Sequence, residues 1–406
     1  MTVKAQSHPQ DEPIRVLLLV IGLALEGPLG GIERFVVDLA QALDKTRISP
    51  VVFGLWDFGT PFERPWIERL AQQGIPAFIG PRKDDARPLN NLLESIAFAK
   101  HTLPGPFDII HSHSEFAEMA VPFLAGRFRR GRTRPRLLRT VHNGGGEWRK
   151  RPLRRLLLTN GLYPLIYNQE MAVSTDLVQR MNARPLGRLL GKEGILMHNA
   201  VEVDRFGTFE LAQEEARARL GLEPQATLIG AVGRLAPEKG IDLLLHALAL
   251  VHKSDPEVQL LLAGAGRSRA ALEALATELG IRDHVHFLGP VRNIEVFYRA
   301  LDVFVSSSYF EGLPTVILEA ALAGTPIVST RTAGALEALG NAAPTAHLTP
   351  IGDVPALAEG IMAQLHDHSR ATLLASAARH QVEQNFSLDR VAREHAELYT
   401  RLMRKS

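Results

Sequence analysis

The sequence predicts an α/β protein of two domains, and three observations carry that reading. Short apolar runs alternate with helix-period segments along nearly the whole chain, the mark of parallel strands covered by crossover helices. The chain has 406 residues, 46% of them hydrophobic, with mean hydropathy near zero, so two soluble cores of ordinary size can be filled. The alternation also begins afresh near Thr227, where Leu228-Ile229-Gly230-Ala231-Val232-Gly233 opens a second series.

Taken in order, residues 1–13 are polar and are expected to form a loose tail. The apolar run from Ile14 to Leu25 is too short to span a bilayer and lacks the basic start and small-residue cleavage site of a signal peptide, so it reads as the first buried strand, Arg15–Gly22. Further strands are expected at Ser49–Leu55, Pro76–Ile79, Asp108–His111, Arg136–Val141 and Gln169–Val173, with helices at Gly31–Leu43, Phe62–Gln73, Pro88–His101 and Glu115–Phe123. These make a first domain over 14–200. Asn199-Ala200-Val201-Glu202-Val203-Asp204-Arg205-Phe206 is a polar, strand-poor connection and the best candidate hinge. The second domain, 207–386, is expected to carry a helix at Ile241–Val251 and strands at Val258–Ala263, Val285–Leu288, Asp302–Ser306 and Pro326–Ser329. A last helical stretch, Leu388–Met403, fills most of 387–406.

Composition narrows the chemistry. There is no cysteine, which excludes disulfides, thiolate catalysis, cysteine zinc sites and iron–sulfur clusters and fits a reducing compartment. A cytoplasmic protein is expected. Charge is uneven: between Met119 and Gln169 stand twelve Arg or Lys and one acid, a net +11 against +2 for the whole chain and therefore −9 elsewhere. Such a block, Arg127 to Arg155, would attract an anionic membrane surface or a phosphorylated acceptor, unless it is simply a solvated surface. It lacks interleaved aromatics for base stacking apart from Trp148, so no nucleic-acid partner is expected.

The most informative stretch is Glu311-Gly312-Leu313-Pro314-Thr315-Val316-Ile317-Leu318-Glu319, which follows the apolar run Asp302–Ser306. Pro314 suits the first helical position, where its missing N–H has no partner to lose. The free N–H groups of Thr315 and Val316 would then form a seat for phosphate. Glu311 at the mouth and Glu319 a little over one turn inside flank that anion site, which describes a pocket for a sugar nucleotide. Gly233-Arg234-Leu235-Ala236-Pro237-Glu238-Lys239-Gly240 lies between a strand and a helix. Pro237 can fold this loop so that Arg234 and Lys239 converge on one diphosphate, whose growing charge a transferase must stabilise. Both motifs fall at carboxyl ends of strands, where open α/β sheets bind ligands. Gly30-Gly31-Ile32-Glu33 opens a helix and exposes backbone N–H groups to an anion, while the fuller G-x-G-x-x-G of nicotinamide enzymes is absent. His142 ends a strand before Asn143-Gly144-Gly145-Gly146 and can reach a cleft. His111-Ser112-His113 places two imidazoles on one strand face, but only Glu115 is near enough in sequence to join them, and no Asp-x-Asp motif stands out; no metal is expected.

The E-x7-E pattern followed by Ala320-Ala321-Leu322-Ala323-Gly324-Thr325-Pro326-Ile327-Val328 resembles the signature of retaining glycosyltransferases of family 4, and further matches run from about residue 16 to 400. The resemblance implies the GT-B fold: two Rossmann-like domains facing across a cleft, with the C-terminal helix returning to the first. It implies transfer of a hexosyl unit from a nucleoside diphosphate sugar to an acceptor hydroxyl, with no cofactor and no metal. Arg234 and Lys239 would clasp the diphosphate, Glu311 the sugar hydroxyls and Glu319 the ribose, while His142 would touch the sugar near its 6-hydroxyl. Gly30, Gly31, Gly233, Gly264, Val291, Gly312, Leu313, Thr315 and Val316 would line the donor site. Asn199–Phe206 resembles the family's N-G-V-D-x-x-x-F linker with Ala200 in place of Gly, and the match extends to Ser174-Thr175, Gly334 and Glu337. The basic block favours a lipid-linked or lipopolysaccharide-type acceptor, with peripheral attachment at the inner membrane face as an option. A small soluble acceptor, a nucleotide-sugar epimerase and a non-catalytic sugar-nucleotide-binding protein remain as alternatives.

Overall fold

The computed structural model describes residues 12–25, 30–84, 86–131, 133–142, 151–207, 211–340 and 344–404. Most of the polar tail, the loop Asn143–Gly146 and the basic residues Arg132, Arg149 and Lys150 lie outside the described residues.

Two parallel sheets account for the chain. The first contains β1 (Ile14–Val20), β2 (Ile48–Gly54), β3 (Ala77–Ile79), β4 (Ile109–Ser112), β5 (Arg136–Val141), β6 (Gln169–Ala172) and β7 (Ile195–Leu196), in the order β3-β2-β1-β4-β5-β6-β7. The second contains β8 (Leu228–Val232), β9 (Gln259–Ala263), β10 (Val285–Gly289), β11 (Val303–Ser306), β12 (Ile327–Thr330) and β13 (His347–Thr349), in the order β10-β9-β8-β11-β12-β13. The sequence carried no apolar run long enough to reveal β7 or β13, of two and three residues.

The continuous apolar run of β1 reflects burial on both faces. Val16, Leu18 and Val20 pack with the helices Gly31–Ala42 and Leu388–Arg404, whereas Leu17 and Leu19 pack with Pro88–Thr102 and Glu115–Ala125. The period of two thus sorts one strand between two helical layers. Leu388–Arg404 follows the second sheet in sequence, yet its Val391, Ala392, Ala396 and Tyr399 lie in the core of the first.

The structure adds to two sequence readings here. The polar connection around Asn199 begins buried: Asn199, Ala200 and Val201 are inside, and Val201 bridges to the chain returning from the second sheet, its N–H donating to Phe386 O at 3.1 Å and its carbonyl accepting from Leu388 N–H at 3.0 Å. The basic block is crossed by a buried strand. β5, about 20 Å long at about 3.3 Å per residue, runs through its middle, with Arg127 and Arg129 before it and Arg151 and Arg155 after it. Arg139, in between, is fully buried; its Nη1 donates to Glu118 Oε2 at 2.9 Å and its Nε to Glu170 Oε2 at 2.7 Å.

In each sheet the strand order reverses beside its first strand, between β1 and β4 and between β8 and β11. Such reversals open a crevice at the carboxyl ends of the strands, because the two crossovers leave on opposite faces.

Candidate active site

The second crevice is shaped by close backbone approach. Gly233 ends β8 with φ +150, and Gly264 after β9 has φ +135; a Cβ on Gly264 would lie 1.9 Å from Gly233 O. Gly233 N–H donates to Ala263 O at 2.9 Å and Leu235 N–H to Ala265 O at 2.9 Å, so the loop after β8 is tied to the loop after β9. Pro237–Lys239 forms a single 3₁₀ turn that closes at Gly240, φ +60, where a Cβ would meet Ser307 O at 2.1 Å. That turn carries Lys239 back over Gly233.

Lys239 Nζ donates to Glu311 Oε1 at 2.7 Å, and Ser308 Oγ donates to the same oxygen at 2.7 Å. Gly233, Arg234, Lys239, Glu311 and Val316 line one cavity with Ser306, Ser307 and Ser308. The two cations share this cavity but do not converge in the structure: Arg234 is largely exposed, with Nη2 donating to Glu238 Oε1 at 2.9 Å.

Pro314 is the N-cap of the helix Thr315–Leu322 rather than its first residue, so the helix begins one position later than the proline signal suggests. The first amide with a partner in this turn is that of Ile317, bonded to Pro314 O at 3.1 Å; those of Thr315 and Val316 precede it. Across from them stands the amino end of Gly31–Ala42, where a Cβ on Gly31 would lie 2.8 Å from Thr315 Oγ1. A second cavity between the two halves is lined by Gly31, Arg34, Asp38, Arg205, Thr315 and Glu319, among others. Glu319 therefore opens into this cavity and not the one that holds Glu311. Tyr298 Oη donates to Glu319 Oε2 at 2.9 Å, and burial raises the Glu319 carboxyl above its ordinary range against the opposing pull of Tyr298, Arg205 and Arg34.

Gly30 caps the first helix, and its N–H donates to Glu33 Oε2 at 3.3 Å. Glu33 is buried, which pushes its carboxyl up to about 7, opposed by the two backbone N–H groups and by the charge of Arg234 from the other half.

His142 lines neither cavity. It is buried, with Nε2 3.1 Å from His113 Nδ1, and burial lowers its imidazole to about 3. Its ring lies 6.0 Å from that of Phe35. His111 contacts Tyr399 Oη and Thr140 Oγ1, each at 2.8 Å, so the two histidines of the His-Ser-His strand end are held by protein groups. Among the described residues no cluster of three or more His, Asp or Glu could hold a metal ion. Val291 is partly buried against the core of the second half, and Leu313 is buried with its carbonyl accepting from Asn199 Nδ2 at 3.3 Å. Gly312 O lies where a Cβ on Gly334 would meet it at 2.5 Å, which accounts for Gly334. Glu337 accepts from Thr175 Oγ1 at 3.0 Å and meets His198 Nε2 at 2.9 Å, joining the two halves.

Sequence reasoning passed over Ser308, Tyr298 and Arg205, and left Glu33 without a role. The serine run ahead of Glu311 was a visible signal, since small hydroxyls at a strand end can orient a nearby carboxylate. Tyr298 and Arg205 carried none, because each reaches Glu319 only through the tertiary fold.

Two family models match the chain: Glycosyltransferase Family 4 over residues 29–169 and Glycosyl transferases group 1 over residues 212–381. A D-inositol 3-phosphate glycosyltransferase of Mycobacterium sp. (strain JLS) is 34% identical over 250 residues, covering 57% of this chain and 53% of that protein. The lipopolysaccharide core biosynthesis mannosyltransferase LpsB of Rhizobium meliloti (strain 1021) is 27% identical over 243 residues, 57% of this chain and 69% of that protein. The chain thus spans about half the length of the mycobacterial relatives it matches. The crystal structure of Anabaena Alr3699/HepE in complex with UDP-glucose superposes with a TM-score of 0.76 at 22% identity, covering 95% of this chain and 99% of that one, a likeness of fold.

Proposed function

From the premise that this chain belongs to the group 1 glycosyltransferases of family 4, built on the GT-B fold, we propose that it transfers a hexosyl unit from a nucleoside diphosphate sugar to an acceptor hydroxyl, with retention at the anomeric carbon. The observation that carries the reading is the pairing of Lys239 with Glu311 in a cavity at the reversal point of the second sheet, beside the amino end of Thr315–Leu322. That arrangement offers a cation and helix N–H groups to a diphosphate and a carboxylate to the neighbouring sugar hydroxyls.

In this reading the leaving diphosphate lies between Lys239, Arg234 and the amides of Thr315 and Val316, with Gly30 and Gly31 facing it across the cleft. Arg234 leaves Glu238 to reach it. Glu311, oriented by Ser308, holds the sugar; Glu319, oriented by Tyr298, holds the ribose. Gly233, Gly264, Gly312, Leu313 and Val291 shape the donor site through backbone and packing. His142, buried and lining neither cavity, acts on the sugar only through its neighbours, and burial lowers its imidazole to about 3. The departing phosphate takes the acceptor's proton on the same face, so no side-chain base is assigned, and the diphosphate charge is assigned to protein cations and amides with no metal.

For the acceptor we favour a lipid-linked or lipopolysaccharide-type glycan, met at the inner face of the cell membrane by a cytoplasmic, peripherally attached enzyme. The likeness to LpsB supports this. A small soluble acceptor is the second reading, supported by the likeness to inositol-phosphate enzymes. Incubating the protein with UDP- and GDP-sugars, with and without a lipid-linked saccharide or inositol phosphate, and weighing the products tests both readings. Growth of the acceptor by one hexose supports transfer. Isomerised donor without acceptor, or tight donor binding with no turnover, would replace it with an epimerase or a binding protein.

A further inference from the structure

The helical stretch 152–166 is an unusual surface. It comprises Pro152–Arg154, a π-wound segment Arg155–Leu162 and Tyr163–Ile166. Its inner side is firmly seated: Tyr163 is buried with its ring 4.5 Å from the Arg139 guanidinium, and Arg184 Nη1 donates to Thr159 O at 2.8 Å. Its outer side presents Leu153, Leu156, Leu157 and Leu165 at 57% to 67% exposure, with Leu162 at 40%. The π winding keeps Leu157 and Leu162, five residues apart, on one side. The turn that Arg184 anchors adds Leu189, 82% exposed, and Leu190.

Within these two segments the charge has one sign, with Glu193 just beyond. Arg151, Arg155 and Arg188 are exposed, and neither 151–166 nor 184–192 contains an acid. A single exposed leucine is ordinary; six or seven on adjoining turns with a basic rim are not. Packing this face against a second copy about a two-fold axis would set arginine against arginine, which disfavours a dimer. Apolar side chains bordered by cations match the boundary of an anionic bilayer, where leucines enter the acyl region and guanidinium groups meet phosphates. The stretch also follows β5, whose carboxyl end faces the cleft side of the first sheet, so a membrane touching it would lie at the edge of the acceptor half.

We propose that the outer face of 152–166, with Arg188, Leu189 and Leu190, seats the protein in an anionic lipid surface. This rests on the membrane-acceptor reading above and narrows the basic block Arg127–Arg155 to its last residues, Arg151–Arg155, extended along 156–166 and 188–190. The test is flotation of the full chain with phosphatidylcholine vesicles, with and without about one third phosphatidylglycerol, at low and at 0.5 M salt, for the wild type, the triple variant Leu153→Gln/Leu156→Gln/Leu157→Gln and the variant Arg151→Gln/Arg155→Gln. Wild type should float only with the anionic vesicles. The leucine variant should lose at least roughly tenfold in partitioning with an unchanged melting temperature, and the arginine variant should lose most of its salt dependence. A second readout, Leu156→Trp, should shift its emission to the blue on adding anionic vesicles. Equal flotation of wild type and leucine variant, with no shift at Trp, would overturn the surface while leaving the membrane reading intact. No flotation of wild type at low salt would remove the membrane reading together with the surface. A wild-type dimer that the leucine variant abolishes would assign the face to self-association instead.

Discussion

Lys239 Nζ and Glu311 Oε1 lie 2.7 Å apart, joining the turn after β8 to the loop after β11 across 72 positions of sequence. The pair neutralises two charges that would otherwise face each other's absence in a half-buried crevice. An ammonium has three donors, so Lys239 can keep Glu311 and still offer N–H groups to a phosphate. Ser308 holds the same carboxylate oxygen, so Glu311 keeps its place while Lys239 adjusts. Lys239→Ala should therefore lower kcat/KM by on the order of a hundredfold, about 2–3 kcal/mol, the usual cost of removing a donor aimed at developing charge. Lys239→Arg should recover only part, since a planar fork does not replace a point charge beside a fixed carboxylate. Transfer rates of the Ala variant within about threefold of wild type would sink the diphosphate role.

Glu33 gives a pH dependence with a definite sign. Its carboxyl is raised to about 7 in the fold from an ordinary 4.5, chiefly by burial. Below 4.5 the folded and unfolded states are both protonated, and the group contributes no slope. Between 4.5 and 7 the unfolded chain releases its proton first, so stability falls as pH rises and levels off above 7. Over that window the loss is on the order of 3 kcal/mol from this group alone. Glu33→Gln, which keeps an oxygen for the Gly30 N–H, should be more stable than wild type at pH 8 and equal to it at pH 4.5. Urea midpoints across this range check it; parallel wild-type and variant curves would reject it.

Arg139 should be the most costly single side chain to remove from the first half. It is buried between Glu118 and Glu170, and Glu170 is also bonded by Arg184, whose Nη1 lies 3.0 Å from its Oε2. These cations hold the Glu170 carboxyl below its ordinary value despite burial, so it stays charged in the core. Arg139→Met would remove a cation bonded to two buried carboxylates, at a cost of about 3–5 kcal/mol. Denaturant unfolding measures this directly. Replacement of Arg139 together with Glu118→Gln should cost less than the single change, because a carboxylate that Arg139 neutralises is removed with it.

Strands such as β1, β2, β8 and β9 were legible because they are apolar runs buried on both faces; β5 and the helix Ile241–Val251 match their expected bounds, and β1, β2 and β4 differ by a residue or two. The motifs around Arg234, Lys239 and Glu311 were legible because glycine, proline and charge mark the carboxyl ends of strands, where open α/β sheets bind ligands. What the sequence hid depends on contacts between distant segments. No local pattern shows that Lys239 pairs with Glu311 while Arg234 turns to Glu238, or that Glu319 opens into a different cavity from Glu311. A count of charges cannot see that β5 divides Arg127 from Arg155 and buries Arg139. The burial of Val201 was hidden because the segment that meets it, 386–388, arrives from the far end of the chain.

Gly31 and Thr315 carry the remaining prediction. Each heads a helix, Gly31–Ala42 in the first half and Thr315–Leu322 in the second, and the two amino ends face each other closely enough that a Cβ on Gly31 would lie 2.8 Å from Thr315 Oγ1. Both ends carry partial positive charge from their free N–H groups, so bringing them together is unfavourable unless an anion lies between them. A diphosphate would supply that anion and draw the halves together. Gly31→Ala should then act on closure rather than on folding. Its methyl forces Thr315 or the whole helix end aside by a few tenths of an ångström, costing about 1–1.5 kcal/mol of the donor-bound state, roughly tenfold in kcat/KM, with little change in melting temperature. Thr315→Ala removes the obstructing hydroxyl, so Gly31→Ala introduced into that background should cost less than it does in wild type, by about 1 kcal/mol of coupling. Strictly additive effects of the two substitutions would show that these helix ends do not meet in the working enzyme.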